Sequence, residues 1–438
     1  MQQADSPPRD PETARRAVEA VAAEHGTRIV ATLIGACGGD FQLAEDAFQE
    51  ALITALERWP VDGVPRQPDA WIVTAARRKA IDQLRRSQNL ARKQEQLKTL
   101  LLIDQAEQEA GPREAENHVL QDDRLRLIFT CCHPALALES QVALTLRTVA
   151  GLQTPEIAKA FLVNQETMAK RLTRARGKIR DARIPYRVPE EHALPDRLAG
   201  VLTVLYLIFN EGYVGSSGPS LVRAELCDEA IRLGRLLATL MPDEPEVLGL
   251  LALMLLIDSR RHARTDASGE MLTLEEQDRS RWDRARIDEG TTLAQRSLRM
   301  RRPGPFQLQA AIAALHAEPA RAVDTDWPQI AALYNELLRR QPTPVVELNR
   351  AAAVAMAWGP EDGLRLIENL EAQGELADYY LLHAAKADLL RRAGRPEDAI
   401  AAYERALALC VNPVEARYLQ RRLRQVGGAQ DQKLTMED

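Results

Sequence analysis

Aromatic residues make up only 4% of the 438-residue chain, too few for a β-sandwich or barrel built on aromatic-rich strands. Cysteine is scarce and odd in number, five in all. No CxxC pair occurs, which argues against a disulfide framework or a zinc ribbon and makes a reducing cytoplasm the expected compartment. The longest nearly apolar run, Val247 to Ile257, falls short of the roughly 20 residues that cross a bilayer. The first residues, MQQADSPPRD, lack the apolar core of a signal peptide. A soluble protein with no membrane partner is therefore expected. The sequence also lacks a phosphate-binding glycine loop, a nucleophile elbow and a metal-ligand cluster, so neither an enzyme nor a cofactor is expected. What the chain has in quantity is alanine, leucine and charge, the last at 27%. That composition predicts an all-α fold.

The net charge of −6 hides an asymmetry. Residues 1–187 carry 27 basic and 25 acidic side chains, whereas 188–438 carry 30 and 38. Two stretches are concentrated in base: 77–98, with eight basic and two acidic groups, and 159–187, with nine and two. Between them, 104–123 has seven acidic groups and one basic. Two basic modules on an acidic tether suit bipartite contact with DNA, or else are solvated helix faces.

In the first module, 12–90, the segment DFQLAEDAFQEALITALER reads as an amphipathic helix with Asp40 as N-cap. Ala44, Phe48, Ala51, Leu52 and Ala55 share its apolar stripe. Glu45, Asp46, Gln49 and Glu50 form an acidic face, which is either solvated or a dock for a basic partner. A loop with three prolines follows, then a helix from near Asp69, AWIVTAARRKAIDQLRRS. Val73, Ala76, Ala80 and Leu84 are its expected buried stripe. Arg78, Asp82 and Arg85 share another face, near Lys79 and Arg86, where guanidinium groups can neutralise phosphates. Trp71 suits either core packing or base stacking.

In the second module, 119–187, two apolar helical segments precede TPEIAKAFLVNQETMAKRLTRARGKIRDAR. Thr154 is the expected N-cap of a short helix, with Pro155 at its first position. LVN makes a turn, and Gln165 opens a second helix. This is the layout of a helix-turn-helix, whose second helix enters the major groove. Gln165 and Glu166 would reach base edges, while Lys170, Arg171, Arg174 and Arg176 suit phosphates. A metal site at Cys131, Cys132 and His133 is not expected, because adjacent helical residues diverge by about 100°. CCHP reads instead as a helix end.

These segments carry a resemblance. DFQLAEDAFQEALITALERW and PDAWIVTAARRKAIDQLRR resemble region two of bacterial RNA polymerase sigma factors of the extracytoplasmic-function group. The second module, down to EIA…TMAKRL.RAR, is similar to sigma region four. The resemblance implies that Glu45, Asp46, Gln49 and Glu50 dock on the polymerase β′ subunit. It implies that the 60–70 loop with Trp71, Arg77, Arg78, Asp82, Arg85 and Arg86 opens and reads the −10 element as single-stranded DNA. Gln165, Glu166, Lys170, Arg171, Arg174 and Arg176 would bind the −35 element. Residues 91–118 would be the linker running through the polymerase channels. Two departures stand out: Arg78 where the family usually has Asn, and Leu162 in the turn where Gly is frequent.

The second half is helical by pattern. A polar stretch, SRRHARTDASGEMLTLEEQDRSRW, is expected to loop out. WGPEDGLRLIENL at 358–370 aligns with GRPEDAIAAYERA at 394–406, an offset of 36 residues. Ala387, Ala399, Tyr403 and Ala406 fit the small/aromatic pattern of tetratricopeptide repeats, whose usual length is about 34. The clusters FNEGY, DSRRHAR, EEQDRSRWD and LNR are either buried ion pairs or a binding site for a small molecule or peptide. Together with QLQAAIAALHA they resemble the extension of a long subgroup of these sigma factors with a C-terminal repeat domain. That likeness implies a helical extension over 188–325, repeats over 326–428, and regulation of sigma activity in place of a separate anti-sigma protein. The expected function is promoter recognition as a subunit of RNA polymerase, with core polymerase (β and β′) and promoter DNA as partners and an intramolecular or protein partner for the repeats. The alternative is a stand-alone helix-turn-helix regulator with a repeat domain. Promoter sequence, inducing signal and oligomeric state are not encoded legibly.

Overall fold

A computed structural model describes residues 11–86, 125–213 except 162, and 224–437 except 267 and 375. Among them no strand forms, only an isolated antiparallel bridge between Thr265 and Met271. The chain divides into two compact units, Met1–Ile208 and Phe209–Asp438. The linker 91–118 lies outside the described residues.

The first unit opens with helices α1 (Pro11–Ala36), α2 (Phe41–Asp62) and α3 (Pro68–Arg86), packed against one another. Asp40 caps α2 as expected, accepting from the Leu43 N–H at 3.0 Å. The α2 stripe is buried through Ala44, Phe48, Ala51 and Ala55 to Trp59. Leu52 is only half-buried. On α3 the buried positions are Ile72, Ala76, Arg77, Ala80 and Ile81, and the Leu84 side chain lies outside the described residues. The helix begins at Pro68, so Asp69 sits in the first turn rather than at the cap.

The remainder of this unit holds helix α4 (125–131), α5 (Leu138–Thr148), α6 (Thr154–Ala160) and α7 (Gln165–Asp181). CCHP does end a helix: Cys131 and Cys132 are buried, and burial pushes the Cys132 thiol up to about 12. Helix α6 begins at Thr154 itself, with Glu156 Oε2 accepting from the Gln153 N–H at 2.6 Å. The reciprocal cap is thus one residue earlier than expected. The cap of α7 is Asn164, whose side chain accepts from the Thr167 N–H at 2.7 Å. Met168, Leu172, Ala175 and Ile179 recur at helical spacing and are buried, on a helix that packs against α5 and α6. Helix α8 (Leu194–Tyr213) carries the division between the units.

The second unit is a succession of helices packed mainly on their sequence neighbours: α9 (Ala224–Leu240), α10 (Pro245–Asp258), α11 (Arg284–Arg299), α12 (Pro305–Ala317), α13 (Trp327–Arg340), α14 (Pro344–Trp358), α15 (Pro360–Gln373), α16 (Tyr380–Arg392), α17 (Pro396–Leu409) and α18 (Pro413–Glu437). The repeat found in the sequence corresponds to the pairs α14–α15 and α16–α17. Pro360 and Pro396 open equivalent helices, and Ala351, Ala387, Ala399, Tyr403 and Ala406 are all in one core. Gly363 occupies the place of Ala399 because its helix crosses closer. A Cβ there would lie 2.7 Å from the Ala351 carbonyl oxygen. Gly249 does the same between α10 and α12, where a Cβ would meet the Gln307 backbone N at 2.7 Å.

The polar stretch 259–282 does not loop out. Ala263, Arg264, Gln277, Arg279 and Trp282 are buried, and its end is pinned where the Asp283 N–H donates to the Ser259 carbonyl at 2.8 Å. Arginine guanidinium groups lie over the Tyr213 and Trp282 rings here, so a charged sequence still fills an interior.

Candidate functional site

Helix α2 presents Asp46 and Gln49 to solvent. Glu50 is half-buried, taking a hydrogen bond from Gln83 at 2.8 Å and facing Lys79 at 3.7 Å. Gln42 holds the Asp46 carboxylate at 2.8 Å. The same face continues through Ile53 and Leu56, which are 55% and 43% exposed. Neither was expected in the face. The signal was present, since both are large apolar residues outside the buried stripe, at i+4 and i+7 from Gln49. An acidic patch running into exposed aliphatics suits a partner surface with basic and apolar portions.

Glu45 departs from this group. Its Oε1 accepts from Arg176 of α7 at 2.7 Å, and the two side chains are only 21% and 18% exposed. Burial holds the Glu45 carboxyl above the usual carboxylate range, with Arg176 opposing that rise. Desolvation therefore outweighs the attraction, and the pair specifies a geometry more than it stabilises one.

On α3, Arg78 and Asp82 are exposed, while the side chains of Arg85 and Arg86 lie outside the described residues. Arg77 is buried, 6% exposed. The reason is helical phase: four residues on lies Ile81, and Ala76 and Ala80 flank it on the same buried face. Trp71 is half-buried and meets Trp59 edge-on, with centroids 5.5 Å apart. Trp71 thus packs in part, and its ring is not fully covered.

On α7, Gln165, Glu166, Lys170 and Arg174 form an exposed row. Lys170 pairs with Glu166 at 2.5 Å, and Arg171 is half-buried. Arg176 points to Glu45 instead of joining the row. Leu162 in the turn lies outside the described residues.

In the second unit, FNEGY, DSRRHAR and EEQDRSRWD come together, and LNR does not. Asp258, 2% exposed, pairs with Arg261 at 2.8 Å and with Arg286. Asp228 bridges the same two arginines at 2.8 and 3.1 Å. Arg264 lies over the Tyr213 ring, 3.8 Å from its centroid, and donates to the Tyr213 carbonyl. Elsewhere, Arg350 of LNR pairs with Glu347 at 2.5 Å. His316 is edge-on to Trp327 at 5.1 Å, and burial beside Arg260 and Arg279 lowers its pKa to about 4. Its folded-state value lies below the ordinary histidine value of about 6.5, so unfolding takes up a proton between those values. Stability from this group is complete above about pH 6.5 and falls as pH drops toward 4, by up to about 3 kcal/mol. His316→Gln is expected to flatten that part of the stability–pH curve in chemical unfolding. An unchanged slope would exclude His316 as its source.

Comparison with known proteins assigns these segments. Residues 23–90 match sigma-70 region 2, and residues 126–179 match sigma-70 region 4. Residues 197–298 match a family of unknown function, DUF6596. The chain is similar to the uncharacterized protein R00370 of Rhizobium meliloti (strain 1021), 47% identical over 385 residues, covering 88% of this chain and 90% of that one. No solved structure matches.

Proposed function

We propose that this chain, a member of the sigma-70 family through its region 2 and region 4 segments, is an extracytoplasmic-function sigma factor whose second half regulates the first. Members of that family act in promoter recognition and are not enzymes. The finer reading assigns a partner to each surface. Asp46, Gln49 and Glu50, extended by Ile53 and Leu56 and completed by Glu45, dock on the clamp of core RNA polymerase. Trp71, Arg78, Asp82, Arg85 and Arg86 hold the opened −10 strand, by stacking and by phosphate neutralisation. Arg77 is left as a packing residue of α3. The exposed row of α7 reads the −35 duplex: Gln165 and Glu166 at base edges, Lys170, Arg171 and Arg174 at phosphates. Residues 91–118 connect the two in the polymerase channels, and the repeats from 326 to 428 take an intramolecular or protein partner. A cytoplasmic site of action follows.

The observation that carries this reading is the succession of an outward acidic face and an outward basic recognition row, in the family's order, within one chain. It is tested by binding to sigma-free core polymerase. Replacing Asp46 and Gln49 together by alanine is expected to weaken binding at least tenfold while leaving duplex −35 binding intact. Equal core binding by wild type and variant would remove α2 from the interface.

Lys170→Ala and Arg174→Ala are each expected to weaken duplex binding uniformly across sequences. Each should also reduce the slope of log affinity against log salt by about one. Gln165→Ala is expected to relax sequence preference without changing the slope. An unchanged slope in both basic variants would take α7 off the phosphates.

A further inference from the structure

We propose that the second unit contains a binding site for a small aromatic or aliphatic carboxylate, in the cavity between helices α10 and α12. The cavity has a volume of about 240 Å³. Its apolar wall includes Leu256, Ile312 and Ala313, and its polar side is formed by Arg260, His316 and Trp282.

Charge distribution makes the case for an anion. Arg260 is half-buried, and among the described residues its guanidinium has no ion pair and no hydrogen bond. Its one partner is the Tyr213 ring, 5.5 Å from the guanidinium carbon to the centroid. Two more guanidinium groups stand behind it. Arg264 and Arg279 are 8% and 7% exposed, and neither has a carboxylate within ion-pair distance among the described residues. Arg279 lies over the Trp282 ring at 4.6 Å and donates to the carbonyls of His316 and Pro319, both at 2.7 Å. Its Nε has no hydrogen-bond partner.

The acids nearby are already engaged. Asp228, Asp258 and Asp283 are held by Arg261 and Arg286. Glu275 and Glu276 are held by Arg392, Arg421 and Arg422. Asp324, which faces Arg279, pairs with Arg321 at 2.7 Å. Glu415 faces Arg264 without pairing to it.

Buried cations are ordinarily paired, because an unpaired one forfeits several kcal/mol of solvation. Three guanidinium groups without carboxylates, of which Arg260 lines a cavity walled mainly by apolar side chains, leave a place for the missing negative charge. The Trp282 indole N–H adds a donor. The residue is 4% exposed, lines the cavity, and its Nε1 has no hydrogen-bond partner. A planar guanidinium matches a carboxylate, and the aliphatic wall matches a compact hydrocarbon body.

The test uses the full chain and calorimetric titration with three probes: phenylacetate, its uncharged analogue phenylacetamide, and inorganic phosphate. Phenylacetate is expected to bind at one site, at least tenfold tighter than phenylacetamide, and phosphate is expected not to compete. Arg260→Met should lower phenylacetate affinity about tenfold and leave phenylacetamide unchanged. The Arg260 side chain makes no hydrogen bond or ion pair among the described residues, so the fold should tolerate this change. Ala313→Leu, which fills the cavity, should abolish binding of both organic probes. No detectable phenylacetate binding, equal affinity for acid and amide, competition by phosphate, or indifference to Arg260→Met would each overturn the proposal. The readout is binding alone, so its failure leaves the promoter reading untouched.

Discussion

Asp258→Ala is expected to destabilise the second unit by about 3–5 kcal/mol, the usual consequence of removing one partner from a buried ionic cluster. The Asp258 side chain is fully buried and is the acid that both Arg261 and Arg286 share from inside. Their side chains are 12% and 28% exposed, so loss of the carboxylate strands two poorly solvated cations. Among the described residues Asp228 is the one other acid that touches both, and it is half in solvent, at 51%. The cluster also ties α9, α10 and α11 together, since Asp228, Asp258 and Arg286 lie on three different helices. Chemical unfolding should show a shifted midpoint with an unchanged denaturant slope. Arg261→Met and Arg286→Met together with Asp258→Leu should recover much of the loss, because apolar replacements remove the desolvation cost with the charges. A loss under about 1 kcal/mol for Asp258→Ala would place the cluster with solvent-screened surface pairs.

Arg176→Glu is expected to separate two properties that an ordinary surface arginine would not. In the first unit Arg176 of α7 holds Glu45 of α2, so α7 covers part of the acidic face. Two carboxylates at that spacing repel, and the variant should bind core polymerase several-fold more tightly. Duplex −35 binding should fall only modestly, because the substitution changes the local charge by two beside the α7 row without touching Lys170, Arg171 or Arg174. Burial holds the Glu45 carboxyl above the usual carboxylate range although Arg176 opposes the rise. Acid should favour the closed contact, since the closed form binds its proton more readily than an open one. Parallel loss of both affinities would mean that the contact belongs to the polymerase-bound form.

Much of this architecture was legible in the sequence because helical periodicity is local. The stripe from Ala44 to Ala55 and the row from Gln165 to Arg174 follow from spacing alone. The cap of α6 lies one residue before Thr154 and that of α7 at Asn164, since Glu156 accepts from the Gln153 N–H and Asn164 from the Thr167 N–H only once the turns have formed. Arg77 was placed on the nucleic-acid face because it is an arginine among arginines. Its phase, in line with Ile81, was the better guide. The polar composition of 259–282 predicts a loop, whereas the segment is partly buried. Its burial depends on Tyr213 and Trp282 supplying ring faces for Arg264 and Arg279, which no local pattern reports. The Glu45–Arg176 contact joins residues 131 apart and has no sequence signature at all.

The central claim is that the α2 acidic face makes this chain a working subunit of RNA polymerase. The direct measurement is transcription from a cognate promoter by sigma-free core polymerase supplemented with the purified chain. Defined transcripts are expected with wild type, and none above the core-alone background with Asp46 and Gln49 replaced by alanine. A chain that binds duplex DNA through α7 yet fails to bind core polymerase or start transcripts would contradict the account and make it a stand-alone DNA-binding regulator.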